Sequence, residues 1–365
     1  MTSEALRLGS RRSPMAVAQS GDVARLITER TGRPVELVGV TSLGDVSKEH
    51  LAQIGGTGVF VSTLRESLLR GEVDFAVHSL KDLPTASPAG IALAAIPERD
   101  DPRDALVGRD GAKLADLPAG ARIGTGSPRR AAQISLLRAD VTCVPIRGNA
   151  NTRLAKVRDG ELDAVVLAYA GLARIGHTDL VTEIFETDAM LPAPGQGALA
   201  VECRAADTRL IELISAVDHA STRVAVTAER SLLAALEAGC SAPVGAYATE
   251  RHSGPSRLRL DAVVLGAGVF GNAAAQGVDV SPGSEIMVVR EHGEADVSDP
   301  GGLGRALAGR MLMRGAARFV GVPGGAATSG ATPGSATPGS AAMGDAATGS
   351  ATVGSATTNR EDVHD

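Results

Sequence analysis

Arginine and lysine recur in this sequence where local electrostatics gives least reason to put them. In Leu8-Gly9-Ser10-Arg11-Arg12-Ser13-Pro14 a strand-like run ends on two arginines, after which Ser13 reads as a helix N-cap and Pro14 as the first helical residue. Ile123-Gly124-Thr125-Gly126-Ser127-Pro128-Arg129-Arg130 repeats the arrangement, and Ile146-Arg147-Gly148-Asn149-Ala150-Asn151-Thr152-Arg153 sets arginines around a third helix start. A fourth turn, Val77-His78-Ser79-Leu80-Lys81-Asp82-Leu83-Pro84, adds a lysine and a carboxylate. A cation in a first helical turn opposes the helix dipole by about 0.3–1 kcal/mol at an exposed site. Arg129, Arg130 and Arg153 are therefore poorly placed unless an anion lies between them. Any one of them alone reads as a solvated surface residue. Four turns with one chemistry read instead as a cationic cleft, because ligands of open α/β sheets bind beyond the carboxyl ends of the strands, where helix N-termini offer free N–H groups. Forked guanidinium suits a ligand with several carboxylates or phosphates.

Asp82 stands among these cations, where a site built only to hold an anion would not want a carboxylate. It is either a cap or ion-pair partner of Lys81, or a group that stabilises a positive charge developing during reaction and moves a proton. Cys240, in Leu236-Glu237-Ala238-Gly239-Cys240-Ser241-Ala242-Pro243, follows a long helix that Gly239 is expected to end. Its thiol is either a buried small hydrophobe, as Cys143 and Cys203 are expected to be, or a loop thiol open to covalent attachment. The connection 42–58 carries several glycines and is long for a compact lobe, which suggests a lid. Gly266-Ala267-Gly268-Val269-Phe270-Gly271 matches a dinucleotide fingerprint, but Gly277, Pro282 and Gly283 break the helix that must follow, so a hairpin connection is expected. The histidines lack metal-ligand spacing, and no metal site is expected.

These turns need a scaffold of alternating strands and helices, and the sequence supplies one. Strand patterns at 6–8, 35–40, 73–77, 91–96, 122–124, 141–146, 163–168 and 198–202 alternate with helical patterns at 14–30, 60–70, 128–138, 151–158 and 208–216. After Asp218 the texture changes to a long helix at 221–237, strands at 244–249, 257–265 and 285–290, and a helix at 303–314, which reads as a separate α+β domain. Pro97–Arg103 and Pro192–Gln196 are expected to be crossings between two α/β lobes. From Gly324 to Thr358 only Met343, Asp345 and Val353 depart from Gly, Ala, Ser, Thr and Pro, so a flexible tail is expected.

Composition narrows the partners. The formal charge of −6 argues against a nucleic-acid coat, and five Phe, two Tyr and no Trp leave little for base stacking. Half of that charge sits on Asp345, Glu361, Asp362 and Asp365, opposed only by Arg360, beyond the expected folded body. An odd set of three cysteines without C-x-x-C spacing argues against disulfides, and Met1–Leu8 has no export-signal pattern; a cytoplasmic protein is expected.

Taken together, the segments R-L-G-S-R-R-S-P, G-G-T-G-V-F, A-V-H-S-L-K-D-L-P, E-R-D-D-P-R-D-A, G-T-G-S-P-R-R, R-G-N-A-N-T-R-L, L-P-A-P-G-Q-G-A and G-C-S-A-P-V-G resemble the porphobilinogen deaminase, or hydroxymethylbilane synthase, family over about Leu6–Val322. The resemblance implies two periplasmic-binding-protein-like α/β lobes, 1–98 with 197–217 and 99–196, a smaller α+β domain at 218–322 that bears the cofactor, and a disordered tail at 323–365. It implies a transferase of porphyrin, tetrapyrrole and haem biosynthesis that joins four porphobilinogen molecules head to tail, each losing ammonia, and releases hydroxymethylbilane by hydrolysis. The primer is a dipyrromethane cofactor held by thioether to Cys240. Ser13, Lys81, Thr125, Ser127, Arg129, Arg130 and Arg147 would hold that cofactor, and Arg11, Arg153, Gln19, Gln196 and Phe60 would meet the substrate. Asp82 would be catalytic, steadying the cationic azafulvene left by ammonia and shuttling the pyrrole proton. Porphobilinogen and the growing tetrapyrrole are then the partners, with no nucleic acid or membrane, and the family suggests a monomer. Gln53 and Thr57 stand where family members often have lysine, which leaves the lid's share in carboxylate binding open. The alternative is a non-enzymatic anion-binding protein of the same two-lobed type, which would give Asp82 and Cys240 no task.

Overall fold

The computed structural model describes residues 4–40, 56–239, 242–251, 256–267 and 286–320, with the side chains of 56–60 and 267 left aside. Cys240, the low-complexity tail, Gln53 and all but the last residues of the expected lid lie outside the described residues.

In the first sheet, β1 (Leu6–Ser10), β2 (Val35–Gly39), β3 (Phe75–Ser79) and β4 (Ile91–Ala95) come from the N-terminal part of the chain. A strand from much later, Leu199–Arg204, enters between β3 and β4, antiparallel to both, with Leu199 opposite Ser79 and Cys203 opposite Ala92. β1 runs parallel to β2 and β3. Central position buries both faces: Phe75, Val77, Val201 and Cys203 share one face and one apolar core, while Ala76, His78, Ala200 and Glu202 lie buried on the other. Helix α1 (Pro14–Thr31) starts where the sequence predicts: the Ser13 hydroxyl accepts from the Ala16 amide at 3.3 Å, and Gly32 at φ +70° ends the helix. Helix α2 runs Gly56–Leu69, so the glycines 56 and 58 start a helix and are not part of an open loop.

The second sheet holds β5 (Asp104–Gly108), β6 (Arg122–Gly124), β7 (Thr142–Val144), β8 (Ala164–Ala168) and β9 (Glu183–Ile184), in the order β7-β6-β8-β5-β9. The sequence pattern missed β5, because an aspartate after a charged, proline-bounded segment reads as more linker. Helices α3 (Pro128–Leu137), α4 (Ala150–Arg158) and α5 (Tyr169–Arg174) follow β6, β7 and β8. Ser127 caps α3 and Asn149 caps α4 through side-chain acceptors. The returning strand of the first sheet is β10, followed by the short helix α6 (Thr208–Ile214).

The third sheet is a meander of β11 (Val244–Arg251), β12 (Arg257–Ala267) and β13 (Ile286–Asp296), covered by α7 (Ala220–Ala235) and α8 (Pro300–Met313). Leu232, Leu236, Leu258, Leu260, Leu307 and Met311 form its dry interface. α7 stops earlier than the sequence suggests: Leu236 caps it and Glu237 takes the left-handed φ of +51°, so Gly239 is not the terminator. β12 pairs antiparallel with β13 up to Ala267 opposite Ile286, and the rest of the Gly266–Gly271 run, for which the sequence suggests a hairpin connection, lies outside the described residues. Among the described residues no helix is long and apolar enough to cross a membrane.

Candidate active site

The segment after β3 makes a single 3-10 turn, Leu80–Asp82, in place of the helix start seen at the other three turns. Leu80 is fully buried and anchors the turn, which leaves Lys81 and Asp82 half-buried beside a cavity of about 200 Å³. Gln19 from α1, Arg130 from α3, Arg153 from α4 and Arg174 from the end of α5 also line this cavity, with Met15, Leu167 and Leu172 as apolar wall. Five of the residues singled out from sequence, Gln19, Lys81, Asp82, Arg130 and Arg153, thus meet in one place.

The remaining ones lie around it. Ser13 and Ser127 are spent as helix caps, and the Thr125 hydroxyl accepts from the Ser127 amide at 3.2 Å, tightening the turn that presents Arg130. Arg147 is exposed and away from the cavity lining. Arg11 is half-buried and close enough to Asp82 to favour its ionised form. Phe60 lies in α2, its side chain outside the description, and Thr57 precedes it there.

Arg129 behaves differently from its neighbour. It is 2% exposed, its Nη1 donates to the Leu191 carbonyl at 2.6 Å, and the same atom lies 2.7 Å from Asp104 Oδ2. Asp104, fully buried at the start of β5, also pairs with Arg130, whose Nε donates to Oδ1 at 2.9 Å. The anion that the sequence demands between these arginines is therefore, in part, the protein's own carboxylate. Burial alone would raise the Asp104 pKa, but the two guanidiniums outweigh it and hold the group well below the usual carboxylate range.

Electrostatics within the cavity follows from the same crowding. Burial, and then the nearby Arg130, push the Lys81 ammonium down to about 8, while Asp82 and Asp104 support its charge. Burial raises the Asp82 carboxyl, and Lys81, Arg11 and Arg130 pull it back. Burial lowers Arg153, with Arg130 adding to the effect. A carboxylate whose protonation is finely opposed, set among cations that accept anions, can bind a carboxylated molecule and exchange a proton with it.

Behind the cavity the two crossings between the sheets are sewn together. Arg99 Nε donates to the Gln196 carbonyl at 2.7 Å, and Gln196 Nε2 donates to the Pro102 carbonyl at 2.7 Å. Gln196 is fully buried and does not line the cavity; its Oε1 accepts from Lys81 Nζ at 3.2 Å. Arg174, absent from the sequence reading, reaches both crossings, with Nη2 2.7 Å from the Gly197 carbonyl and 2.5 Å from Asp100 Oδ2. Glu229 of α7, also wholly buried, accepts from Arg99, from the Gly195 amide at 2.6 Å and from the Ala248 amide at 2.9 Å. Asp104 closes a charged, proline-bounded run that hides the strand it begins, and Arg174 ends a helix whose start has no side-chain cap to announce it.

Comparison with known proteins adds an independent line. Residues 6–212 match the family model described as porphobilinogen deaminase, dipyromethane cofactor binding domain, and residues 223–271 match porphobilinogen deaminase, C-terminal domain. Porphobilinogen deaminase of Thermobifida fusca is 59% identical over 321 residues, covering 88% of this chain and 97% of its own length. Porphobilinogen deaminase 1 of Streptomyces coelicolor is 57% identical over 327 residues, covering 88% and 99%.

Proposed function

The chain belongs to the porphobilinogen deaminase family, and on that premise we propose which of its residues carry the reaction. It is a transferase that joins four porphobilinogen molecules with loss of ammonia on a dipyrromethane primer and hydrolyses off hydroxymethylbilane. The finer assignment is that Asp82 is the catalytic carboxylate and that Lys81, Arg130 and Arg153 receive the acetate and propionate groups of the pyrroles. The observation that carries it is the placement of one carboxylate and these three cations around a single cavity.

The residues present suit a covalently held, polycarboxylated pyrrole chain. Arg174 supports this fit, since its Nε is buried without a hydrogen-bond partner although the residue lines the cavity. The cofactor supplies an electron-rich pyrrole carbon as the growing end. Everything else falls to the protein. Lys81, Arg130 and Arg153 neutralise the incoming carboxylates and fix the direction of the ring. Asp82 faces the positive charge that develops at the aminomethyl carbon as ammonia departs, stabilises it by proximity, and takes the proton that the attacked pyrrole carbon must lose. Gln19, tied to Ser79 Oγ at 2.8 Å, keeps α1 against the Asp82 turn. Ser13, Thr125 and Ser127 hold the turns that bear Arg11 and Arg130, and Arg147 and Phe60 are assigned to the cofactor and the substrate on family membership alone.

Cys240 is the proposed attachment point, carried by a domain of residues 218–322, with the lobes bounded as 1–98 with 197–217 and 99–196. A monomer in the cytoplasm is the setting consistent with this reading. Intact mass of the purified protein tests the assignment: an adduct of two linked pyrrole units is expected and should vanish in Cys240→Ser. In Asp82→Ala, porphobilinogen consumption should cease while the adduct persists; near-normal turnover would reduce Asp82 to a structural cap.

A further inference from the structure

We propose that Asp104 and Gln196 are positioning residues for this reaction, tying the cavity cations Lys81 and Arg130 into one buried network that fixes where a substrate carboxylate is received. The inference rests on the functional reading above. Lys81 belongs to the first sheet, through the turn after β3, and Arg130 to the second, through α3. Nothing in either sheet alone sets the distance between them. Gln196 does, because its Oε1 accepts from Lys81 Nζ at 3.2 Å and from Arg130 Nη2 at 3.4 Å.

The amide cannot turn over without loss. Its Nε2 donates to Asp104 Oδ1 at 2.8 Å and to the Pro102 carbonyl at 2.7 Å, and a flipped amide would point hydrogen atoms at two cations and an oxygen at two acceptors. Asp104 thus dictates the orientation of Gln196, and Gln196 orients the two cations. Asp104 Oδ1 simultaneously receives Arg130 Nε at 2.9 Å and Nη2 at 2.7 Å, while Oδ2 faces Arg129 Nη1 at 2.7 Å.

Charge follows the same geometry. Asp104 is shared by Arg129 and Arg130, and Asp82 lies beside Lys81, so the three cations outnumber the two carboxylates and a net positive charge remains for the ligand. With Asp104 neutral, Arg129 would be left with the Leu191 carbonyl, and Arg130 with the Val166 carbonyl, the Gln196 amide oxygen and the influence of Asp82. Neither Asp104 nor Gln196 lines the cavity, so both act through Lys81 and Arg130.

The test uses the full chain carrying its primer, checked by intact mass, with porphobilinogen as substrate. Asp104→Asn is nearly isosteric and removes only the charge; it is expected to raise KM about tenfold or more with a smaller change in kcat. The alkaline fall in substrate affinity should also move to lower pH. Lys81 is faced by Asp82 and Asp104, which support its charge, and by Arg130 and Arg129, which oppose it, so loss of Asp104 removes a support. Adding Gln196→Glu to Asp104→Asn returns a carboxylate to the network and should recover most of the KM. An Asp104→Asn enzyme with unchanged KM and pH profile overturns the proposal, as does a loss confined to kcat that the second change does not recover. Should Asp104→Asn fail to fold, Gln196→Met, which keeps every charge, must still raise KM; an unchanged value is equally fatal. An unsubstituted protein that consumes no porphobilinogen would sink the functional reading and this inference together, whereas an active protein indifferent to these changes sinks only the inference.

Discussion

Arg174 grips Gly197 from one side, Nη2 to carbonyl at 2.7 Å, while the Cβ that Gly197 lacks would fall 2.5 Å from the carbonyl oxygen of Asp100 on the other. Gly197 also sits at φ +88°, where an L side chain is strained. Gly197→Ala is therefore expected to cost at least about 1–2 kcal/mol of stability, read by denaturant unfolding. It should also raise KM, because the displaced crossing carries Arg174 away from the cavity it lines. Wild-type values of both would show that the crossings can part without consequence.

Glu229 is the point where the third domain meets both crossings. It is fully buried and pairs with Arg99 at 2.7 Å, and Arg99 in turn lies 5.2 Å over the Tyr247 ring. Removing one member of a buried, fully bonded pair leaves the other uncompensated, at a cost of about 3–5 kcal/mol. Glu229→Ala should lose that much in urea or guanidinium titrations, and a loss below about 1 kcal/mol would mean that water replaces the carboxylate easily.

Lys81 makes two opposite pH dependences out of one titration. Its pKa falls on folding from 10.5 to about 8, so between those values the unfolded chain binds the extra proton and folded stability rises with pH. Over the same range the cavity loses a positive charge, and affinity for a carboxylated substrate falls. Lys81→Arg keeps its charge at these pH values and should flatten the alkaline fall in 1/KM. A fall that survives in Lys81→Arg would assign it to another group.

Asp82 should govern the acid limb. Burial places its carboxyl above the usual 3.8, so kcat/KM is expected to decline with acid earlier than an exposed aspartate would allow. In Asp82→Asn the remaining activity should drop by about 10²–10⁴-fold and the residual rate should no longer follow that limb. Retention of the limb at reduced rate would mean that a different acid titrates.

Much of this was readable from residue order. Ser13 and Ser127 announced their helices, and the H-S-L-K-D run announced a cation and a carboxylate side by side. What the chain order concealed was where each arginine would point. Arg129 and Arg130 are sequence neighbours at one helix start and share Asp104, which stands on a strand across the sheet, yet Arg129 turns to the Leu191 carbonyl while Arg130 reaches Gln196 and the cavity. Counter-ions chosen by tertiary pairing leave no local periodicity. Arg174 was hidden for a similar reason, as a six-residue helix without a capping side chain carries too little pattern to detect. The lid, Cys240 and the tail fall outside the described residues, so their sequence-based expectations stand as proposals.

The insertion of β10 between β3 and β4 bears on how the protein is made. Until Leu199–Arg204 leave the ribosome, β3 and β4 have no partner on their facing edges, because Ser79 pairs with Leu199 and Ala92 with Cys203. The second sheet, by contrast, closes within residues 104–184 and can be finished first. Synthesis therefore delivers a completed inner unit while the outer one still waits with open strand edges, an interval in which those edges are templates for pairing with other chains.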